Sequence, residues 1–350
     1  MARRSERGAG AAAAGEAAAA PGLVVPQRPL PRGAGRRRAL LVGVNYTASH
    51  APLKGCVNDV WNFQCLLRYT LQYSDDQLQV LLDSADGRPA KPRRAPTKAN
   101  ILQGLQWLLG GAQPGDSLLF VFCGYGAQYP RSPGSDEHEA HLVPSDFAAE
   151  LPESFFSAPA GPAADCRGAG YRLMPLLELH DCIGRLPAAC RMSVVLDCCY
   201  PAVPRVGPAS NLPPTFPRVE RGPVDYGRFR DFISRPRFLE LPVLPARHAP
   251  GRPPPPAPEA FPRCALHCFA GCRREEWCAE FPIEGTVQGA FSWAFMRALA
   301  RAHFHCGVYQ FQQALVEMLA DLKAHFRAVE QTPLLQLSQA AGMQDVVLWT

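Results

Sequence analysis

The chain has 350 residues, of which 47% are hydrophobic and 19% are charged, a composition typical of soluble globular proteins. Its net charge of +5 is modest, and no basic motif interleaved with aromatic residues indicates nucleic-acid binding, so we expect no nucleic-acid partner. The uncharged apolar stretches are too short to cross a bilayer, so we expect no membrane association. The 13 cysteines lie mostly in apolar segments, which favours reduced thiols and a cytoplasmic or nuclear protein.

The first 37 residues are rich in alanine, glycine and arginine, and we interpret them as a disordered tail. An organelle-targeting sequence is the alternative interpretation of this segment. Glu6 and Glu16 argue against targeting, because such sequences contain few acidic residues.

Short apolar runs bounded by charged or turn residues are typical of the buried strands of a parallel sheet. Such runs occur at residues 39–44, 79–82, 117–123, 192–197, 265–270 and 345–349. Helical spacing of apolar residues predicts helices over 59–71, 97–109 (with Thr97 as N-cap), 176–186, 288–303 and 309–326. The alternation predicts an α/β fold, a three-layer α/β/α sandwich with a mostly parallel central sheet. Ligands bind such sheets beyond the carboxyl ends of the strands.

Two of these strand ends carry unusual residues. The third strand runs into Cys-Gly-Tyr-Gly-Ala-Gln at 123–128, and the fourth runs into Asp-Cys-Cys-Tyr at 197–200. Together with Leu-Lys-Gly-Cys-Val-Asn-Asp-Val at 53–60 and Gly-Ala-Phe-Ser-Trp-Ala-Phe at 289–295, they resemble the type I metacaspases, a caspase-fold family of cysteine peptidases. The resemblance implies a caspase-like α/β fold.

The domain organisation follows from the same resemblance and from the distribution of proline. Residues 38–200 resemble the large-subunit region of the family and 263–350 its small-subunit region, so we predict one domain and a monomer. Between them, 17 of the 62 residues at 201–262 are prolines. Because this density leaves no regular core element, we interpret that segment as a long linker or surface excursion.

The resemblance places Cys199 at the nucleophile position and Tyr125 where the family has its general-base histidine. A free thiol is only a few per cent thiolate at neutral pH, so this class of peptidase needs an adjacent base. Tyrosine, with an unperturbed pKa of about 10, is not poised to accept a proton there. Pro201 fixes φ and removes a donor, so we expect a distorted loop after the nucleophile. The alternative for Cys198 and Cys199 is a pair of structural buried thiols.

The family reads arginine or lysine through an acidic pocket, and the resemblance maps that pocket to Cys56, Asp59, Cys123 and Asp197. Two carboxylates in it are suited to a guanidinium group through charge-assisted hydrogen bonds. We therefore expect a peptide or protein ligand with an Arg or Lys side chain. For Asp59 the alternative is an acidic residue placed near a helix N-terminus because the helix dipole favours it.

Metal binding is not expected. Many metacaspases need calcium, but Leu176 and Leu177 occupy the positions of two family aspartates, so we predict that the calcium site is lost and that no cofactor is bound. A zinc site built from Cys264, His267, Cys268, Cys272 and Cys278 is disfavoured, because the cysteine spacings differ from paired Cys-x-x-Cys ligands.

His138 and His141 are the remaining candidates for a substitute base, although we expect them in an exposed loop. Two functional hypotheses follow. The first is a catalytically impaired pseudopeptidase that acts by binding. The second is a weak Arg- or Lys-specific cysteine endopeptidase that uses Cys199 and the Asp59/Asp197 pocket without the usual histidine.

Overall fold

The computed structural model describes a core of the chain and several connecting segments. These are residues 35–85, 88–89, 91–130, 137–151, 170–200, 216–217, 236–241, 262–326, 329–342 and 345–348. The predicted N-terminal tail up to residue 34 and most of the proline-rich linker lie outside the described residues, so those predictions stay predictions.

The described strands are numbered β1 to β14 in chain order. They are β1 (Arg37–Gly43), β2 (Leu78–Leu82), β3 (Ser84–Ala85), β4 (Arg88–Pro89), β5 (Ser117–Cys123), β6 (Gly126–Pro130), β7 (Glu137–Leu142), β8 (Met174–Pro175), β9 (Arg191–Asp197), β10 (Phe216–Pro217), β11 (Ala265–Ala270), β12 (Glu280–Ile283), β13 (Thr286–Gly289) and β14 (Leu334–Leu337).

A central sheet of six of the described strands has the order β14-β11-β9-β5-β1-β2. All pairings in it are parallel except that of β11 with β14. This confirms the α/β fold with a mostly parallel sheet and five of the six predicted strands. The predicted closing strand at 345–349 is wrong. Val346 forms only a single bridge to Gly307, and the chain then turns with Leu348 at φ 58°, so the sixth strand is β14 instead.

The helices of the described residues lie close to the predicted spans. They are α1 (Cys56–Cys65), α2 (Lys98–Leu109), α3 (Leu176–Gly184), α4 (Ala290–Arg301) and α5 (Val308–His325). A π-helical turn over Leu66–Thr70 continues α1, and the side chain of Thr97 accepts a hydrogen bond from Asn100 N as the predicted N-cap of α2. Among the described residues, no helix combines the length and apolar composition that crossing a membrane requires.

Helices cover both faces of the central sheet. Residues 40 and 43 of β1 lie an odd number of positions apart and therefore point to opposite faces. Leu40 packs against Gly104 of α2, whereas Gly43 lies against Val60 of α1. The two helices therefore sandwich β1, as a three-layer α/β/α arrangement requires.

The carboxyl ends of the central strands lie level with one another. Gly43 at the end of β1 pairs with Cys123 at the end of β5, and Cys123 pairs with Asp197 at the end of β9. The strands β5 and β9 are buried from Leu118 and Met192 to their carboxyl ends. Candidate functional residues are therefore the ones at and just beyond these ends. The register therefore brings the two unusual strand ends together at one edge.

A second, antiparallel sheet begins directly beyond β5. Its order is β10-β7-β6, with β8 also paired to β7. His138 and His141 lie on β7 and are buried, so the prediction that they belong to an exposed loop is wrong. The reason is that β7 is paired along both edges, with His138 opposite Pro130 of β6 and Phe216 of β10, and His141 opposite Ala127 of β6 and Pro175 of β8.

Candidate functional site

The nucleophile position lies where β9 ends against β5. Gly124 N donates to Asp197 O at 3.3 Å, which ties the two strand ends together. Cys198 and Cys199 follow, and both are buried. The Cys199 sulfur accepts a hydrogen bond from Cys278 N at 3.3 Å, and its thiol lies 3.8 Å from Cys278 O.

An acidic pocket formed by Asp59, Asp197 and Glu280 surrounds the guanidinium group of Arg237. Arg237 Nη1 lies 2.8 Å from Asp197 Oδ2, Nη2 forms a close ion pair with Asp59 Oδ2, and Nη2 is 3.7 Å from Glu280 Oε2. The side chains of Arg237, Asp59 and Asp197 are 0% exposed and that of Glu280 is 1% exposed. One arginine therefore neutralises part of a fully buried group of three carboxylates.

Neighbouring backbone amides hold the pocket carboxylates in place. Asp197 Oδ2 accepts hydrogen bonds from Ser292 N at 3.0 Å and from Ser292 Oγ at 2.6 Å. Gly289 N donates to Oδ1 and Oδ2 of Asp59 at 3.0 and 3.1 Å. Each carboxylate thus has its orientation fixed by a donor on the α4 side of the site, independently of the arginine.

Glu280 is held in the same way from the opposite side. Lys54 N donates to its Oε1 at 2.7 Å and Gly55 N donates to its Oε2 at 2.8 Å. These donors precede α1, so the loop that begins the helix and strand β12 close over the guanidinium together. Amide donors favour the ionised form of a buried carboxylate and fix its orientation.

Burial sets the protonation behaviour of the acidic pocket. It raises the pKa of Asp59 and that of Glu280, while the Arg237 guanidinium opposes both shifts. Burial acts to lower the pKa of Arg237, but Asp197, Asp59 and Glu280 outweigh it and raise that pKa well above its usual range. The guanidinium is therefore charged at every working pH, and it offsets only part of the effect of burial on the pKa of Asp59 and that of Glu280.

Glycines leave room for the guanidinium. A methyl group at Gly289 would lie 2.6 Å from Arg237 Nη1 and closer still to Asp197 Oδ2. A methyl group at Gly55 would lie 3.1 Å from Arg237 Nη2 and 2.9 Å from Glu280 Oε2. Side chains larger than hydrogen at these positions would fill the space that the arginine occupies.

Cys56 and Cys123, the other two predicted pocket residues, lie beside the carboxylates. Both are buried, and burial raises the pKa of each thiol well above its usual range. The Cys123 sulfur is 3.7 Å from Ser292 Oγ. The structure thus brings together all four predicted pocket residues, Cys56, Asp59, Cys123 and Asp197, and their role in substrate binding stays a prediction.

The main chain of Arg237 is bound as firmly as its side chain. Its carbonyl oxygen accepts hydrogen bonds from Gly126 N and Cys199 N, both at 3.0 Å, and its own N–H donates to Cys278 O at 2.7 Å. Two amide donors that converge on one carbonyl oxygen beside a cysteine have the arrangement of an oxyanion hole. Arg237 therefore occupies the site as the residue on the acyl side of a substrate bond would.

This occupancy corrects the sequence interpretation of the linker. Residues 236–241 lie inside the segment interpreted as a linker or surface excursion, yet Arg237 is among the largest fully buried side chains of the described residues. An arginine is tolerated there because three carboxylates face its two Nη atoms and three backbone groups bond to its main chain, while its buried Nε has no hydrogen-bond partner among the described residues. Pro201, expected to distort the nucleophile loop, lies outside the described residues, whereas both amide donors, Cys199 N and Gly126 N, are in place.

Tyr125, at the base position, is engaged elsewhere. Its hydroxyl donates to Ala51 O at 2.9 Å, and its N–H donates to Tyr46 Oη at 2.8 Å. The Tyr46 hydroxyl donates in turn to Val143 O at 2.6 Å, and the two tyrosine rings lie 4.6 Å apart. The side chain is 3% exposed, so Tyr125 is built into a packed and hydrogen-bonded wall of the site.

The other titratable candidates have structural surroundings. His141 Nδ1 lies 2.9 Å from Glu139 O, its ring is 6.5 Å from that of Tyr129, and burial lowers its pKa to about 4. In the part of the chain that the structure describes, no group of three or more His, Cys, Asp or Glu side chains is arranged to hold a metal ion.

Sequence reasoning missed two of the residues that define the pocket, Glu280 and Arg237. Glu280 is the buried first residue of β12, and its sequence neighbourhood, with Glu275, Glu276 and Glu284 close by, does not single it out. Arg237 lies between proline and phenylalanine in a segment that was interpreted as a linker because of its proline content. No local pattern indicates that this arginine returns to Asp59, which is 178 positions away in the chain.

Comparison with known proteins finds similarity to one family over part of the chain. Residues 37–152 match the model of the metacaspase, peptidase C14 domain. Metacaspase-1 of Cryptococcus neoformans is 34% identical over 171 residues, covering 47% of this chain and 32% of the relative. Metacaspase-1 of Mycosarcoma maydis is 36% identical over 169 residues, covering 47% of this chain and 36% of the relative. The chain thus spans about a third of the length of these curated relatives.

A crystal structure of a protein from Geobacter sulfurreducens shows the same fold. It superposes with a TM-score of 0.52 at 14% sequence identity, covering 87% of this chain and 93% of that one. The family match ends before Cys199 and Arg237, so it identifies the domain and leaves the activity of this site open. Over residues 37–152, and at the level of the fold, the chain is therefore similar to the metacaspase family of caspase-like cysteine peptidases.

Proposed function

We propose that this protein is a catalytically impaired member of the metacaspase family that acts by binding an arginine-containing segment in the manner of a substrate. One observation carries the proposal: Arg237 is held in substrate register by the acidic pocket and by Gly126 N and Cys199 N, while the Tyr125 hydroxyl donates to Ala51 O. Among the described residues, the binding half of a peptidase site is thus present, with Tyr125 at the base position bonded through its hydroxyl to Ala51 O.

The acidic pocket favours arginine over lysine. Its carboxylates meet the guanidinium from two directions, Asp197 at Nη1 and Asp59 at Nη2. A planar guanidinium satisfies both at once, whereas an ammonium group is a point charge at the end of a single stem. Arginine peptides are therefore the expected ligands, and lysine peptides are expected to bind more weakly.

The position of Tyr125 supports impaired chemistry. A general base must lie within hydrogen-bond reach of the proton that it removes, and it must be unprotonated at the working pH. A tyrosine hydroxyl that donates its proton to a backbone carbonyl is protonated and therefore does not meet the second condition. Loss of a general base lowers the rate by about 10²–10⁴.

A specific observation favours the second candidate, a weak Arg-specific endopeptidase that uses Cys199. The two amide donors that stabilise a developing oxyanion are in place at 3.0 Å, and one of them belongs to Cys199 itself. Such donors alone retain a substantial part of the catalysis in peptidases that have lost a side chain. In this case the bond after Arg237 is the first expected target.

The two candidates are distinguished by turnover and by the mass of the chain. Purified protein is incubated with Arg- and Lys-peptide reporters, with and without calcium, beside a Cys199→Ala variant. The proposal expects no difference between them and an intact bond between Arg237 and Phe238 by mass spectrometry. Reporter cleavage, or a cut after Arg237, that disappears in Cys199→Ala would establish the endopeptidase instead.

Restoring the base separates one defect from several. Tyr125→His is made together with Arg237→Gln, so that the chain's own arginine no longer occupies the pocket. Reporter turnover by this double variant shows that the base was the missing part. No gain of turnover, with the protein folded, points to a further defect such as the loop at Pro201.

The proposal also includes the absence of a calcium requirement, a monomeric state and a cytoplasmic or nuclear location. Leu176, at one of the positions where the family has aspartate, is buried in α3 and offers no oxygen. Calcium at millimolar concentration is therefore expected to leave the melting temperature unchanged relative to EDTA. A rise in melting temperature with calcium would contradict this part of the proposal.

A further inference from the structure

The residue that follows Arg237 has a defined place of its own. The Phe238 ring lies 5.6 Å from the ring of Tyr200 at an interplanar angle of 70°, and 5.2 Å from the ring of Trp277 at 72°. Edge-to-face pairs at this spacing contribute beyond the burial of apolar surface. The aromatic side chain after the arginine is therefore held by two rings at once.

One of those rings is attached to the nucleophile. Tyr200 directly follows Cys199 and has a φ of 57°, the left-handed region that is unfavourable for a residue with a Cβ. It is also almost completely buried. Such conformations persist where the surroundings fix them, and they concentrate at functional sites. Here the turn at Tyr200 directs its ring toward Phe238.

The backbone of residues 236–239 forms strand-like contacts on both sides of the Arg237–Phe238 bond. On the amino side, Pro236 forms an antiparallel bridge to Ala279. On the carboxyl side, Phe238 forms a parallel bridge to Gly126, and Leu239 N donates to Gly126 O at 3.1 Å. A short extended segment inserted between two chain segments is bound as an added strand, with pockets for alternate side chains.

We propose that the site contains a second subsite, formed by Tyr200 and Trp277, that takes an aromatic side chain directly after the arginine. The ligand class is then an extended peptide with the sequence Pro-Arg-aromatic, and residues 236–238 of this chain are that ligand bound in cis. The inference rests on the proposed arginine-binding function, because the subsite is aligned by the arginine in the acidic pocket.

Occupation in cis has a direct consequence for ligands from outside. A tethered segment competes at a high effective concentration, so a free peptide has to displace residues 236–241 before it binds. Binding in trans is therefore measured on the full chain with Arg237→Gln and Phe238→Ala, which remove both side chains of the internal ligand and leave Tyr200 and Trp277 intact.

The experiment measures fluorescence anisotropy of a labelled peptide with the sequence of residues 235–241, Arg-Pro-Arg-Phe-Leu-Glu-Leu, against this double variant under reducing conditions. We expect saturable binding. Replacing the peptide's phenylalanine by alanine is expected to weaken binding at least about tenfold, from the lost ring pairs and buried area. Adding Trp277→Ala to the protein is expected to abolish most of that difference.

Two controls separate this inference from the function on which it rests. A peptide with glutamine in place of the arginine preceding phenylalanine tests the acidic pocket, and its full affinity would contradict the proposed function. Equal affinity of the phenylalanine and alanine peptides, with arginine still required, would overturn only the aromatic subsite. Trp107→Ala, which removes a half-buried tryptophan of α2 stacked on Arg38, is the matched control and is expected to leave the phenylalanine preference intact.

A measurement in cis keeps the inference testable if the double variant does not fold. Cleavage at Glu240 by a glutamate-specific protease reports how often residues 236–241 leave the site, since a bound strand is protected. Phe238→Ala and Trp277→Ala are each expected to increase the cleavage rate, and the two changes together are expected to do less than the product of the single effects. Fully multiplicative effects would mean that the two rings do not act as a pair, and the subsite would be rejected.

Discussion

Replacing Arg237 by methionine removes the cation that, among the described residues, lies in the acidic pocket, while keeping an unbranched side chain. Three carboxylates then remain in a buried space, from 0% to 1% exposed, with their backbone donors but without a counter-charge. Removing one partner of a buried ion pair costs about 3–5 kcal/mol, because the charge left behind is not compensated. The loss falls first on the docking of residues 236–241, which Arg237 anchors.

The magnitude sets the expected measurement. A cost of 3–5 kcal/mol corresponds to roughly a 150- to 5,000-fold rise in the undocked population of the 236–241 segment. If the segment stays coupled to global unfolding, the same cost lowers the melting temperature by roughly 6–20 °C for a domain of this size. Differential scanning fluorimetry and the rate of cleavage at Glu240 by a glutamate-specific protease together distinguish the two cases.

A surface ion pair provides the matched control. Arg301 lies 3.0 Å from Glu317, and both side chains are more than half exposed. Arg301→Met is therefore expected to change the free energy of unfolding by less than about 1 kcal/mol. If Arg237→Met and Arg301→Met behave alike in both assays, the acidic pocket does not anchor the 236–241 segment, and the reasoning about the site fails.

Three further variants test other parts of the structure. Gly289→Ala places a methyl group in the space that the Arg237 guanidinium occupies, so it is expected to expose the 236–241 segment to protease. Gly184→Ala, with no atom within 4 Å of the added carbon, is the control and is expected to leave the segment protected. Equal protection in the two variants would contradict the pocket geometry. Burial lowers the pKa of His141 to about 4, so stability is expected to fall by up to about 3 kcal/mol as pH drops from about 6.5 to about 4, because only the unfolded chain takes up the proton. Urea titrations at several pH values should show this slope reduced in His141→Gln and retained when the exposed His305 is changed to Gln; an unchanged slope in His141→Gln would show that this imidazole is not the cause. Thr97→Ala removes the N-cap of α2 and is expected to lower the free energy of unfolding by about 1 kcal/mol in the same titrations. An unchanged free energy of unfolding would mean that water replaces the cap.

The sequence predicted much of the central sheet because its strands are continuous apolar runs. The strands β5 and β11 have the predicted bounds, and β1, β2 and β9 differ from prediction by a few residues. The strand β14 was missed because it is half-buried throughout and contains a glutamine, so it lacks the signature of a buried parallel strand. Its role depends on pairing with β11, which is a tertiary contact.

The pocket shows a similar division. Asp59 and Asp197 were predicted from resemblance to family motifs, and the structure places both on one guanidinium. The helix-dipole alternative for Asp59 explains its position in the first turn of α1, but its carboxylate is bound by Gly289 N and Arg237. The burial of His141 was not predictable, because its strand is polar in sequence and is buried only by its partners.

By itself the sequence determined the α/β fold, the presence of a thiol at Cys199 and the replacement of the expected histidine by Tyr125. These properties are local, because apolar periodicity and residue identity can be determined from short stretches of the sequence. Only the tertiary structure decided that Arg237 fills the acidic pocket with its carbonyl between Gly126 N and Cys199 N. A buried charge is stable only where distant residues supply its partners, so its position follows from the assembled fold and not from its neighbours in the chain.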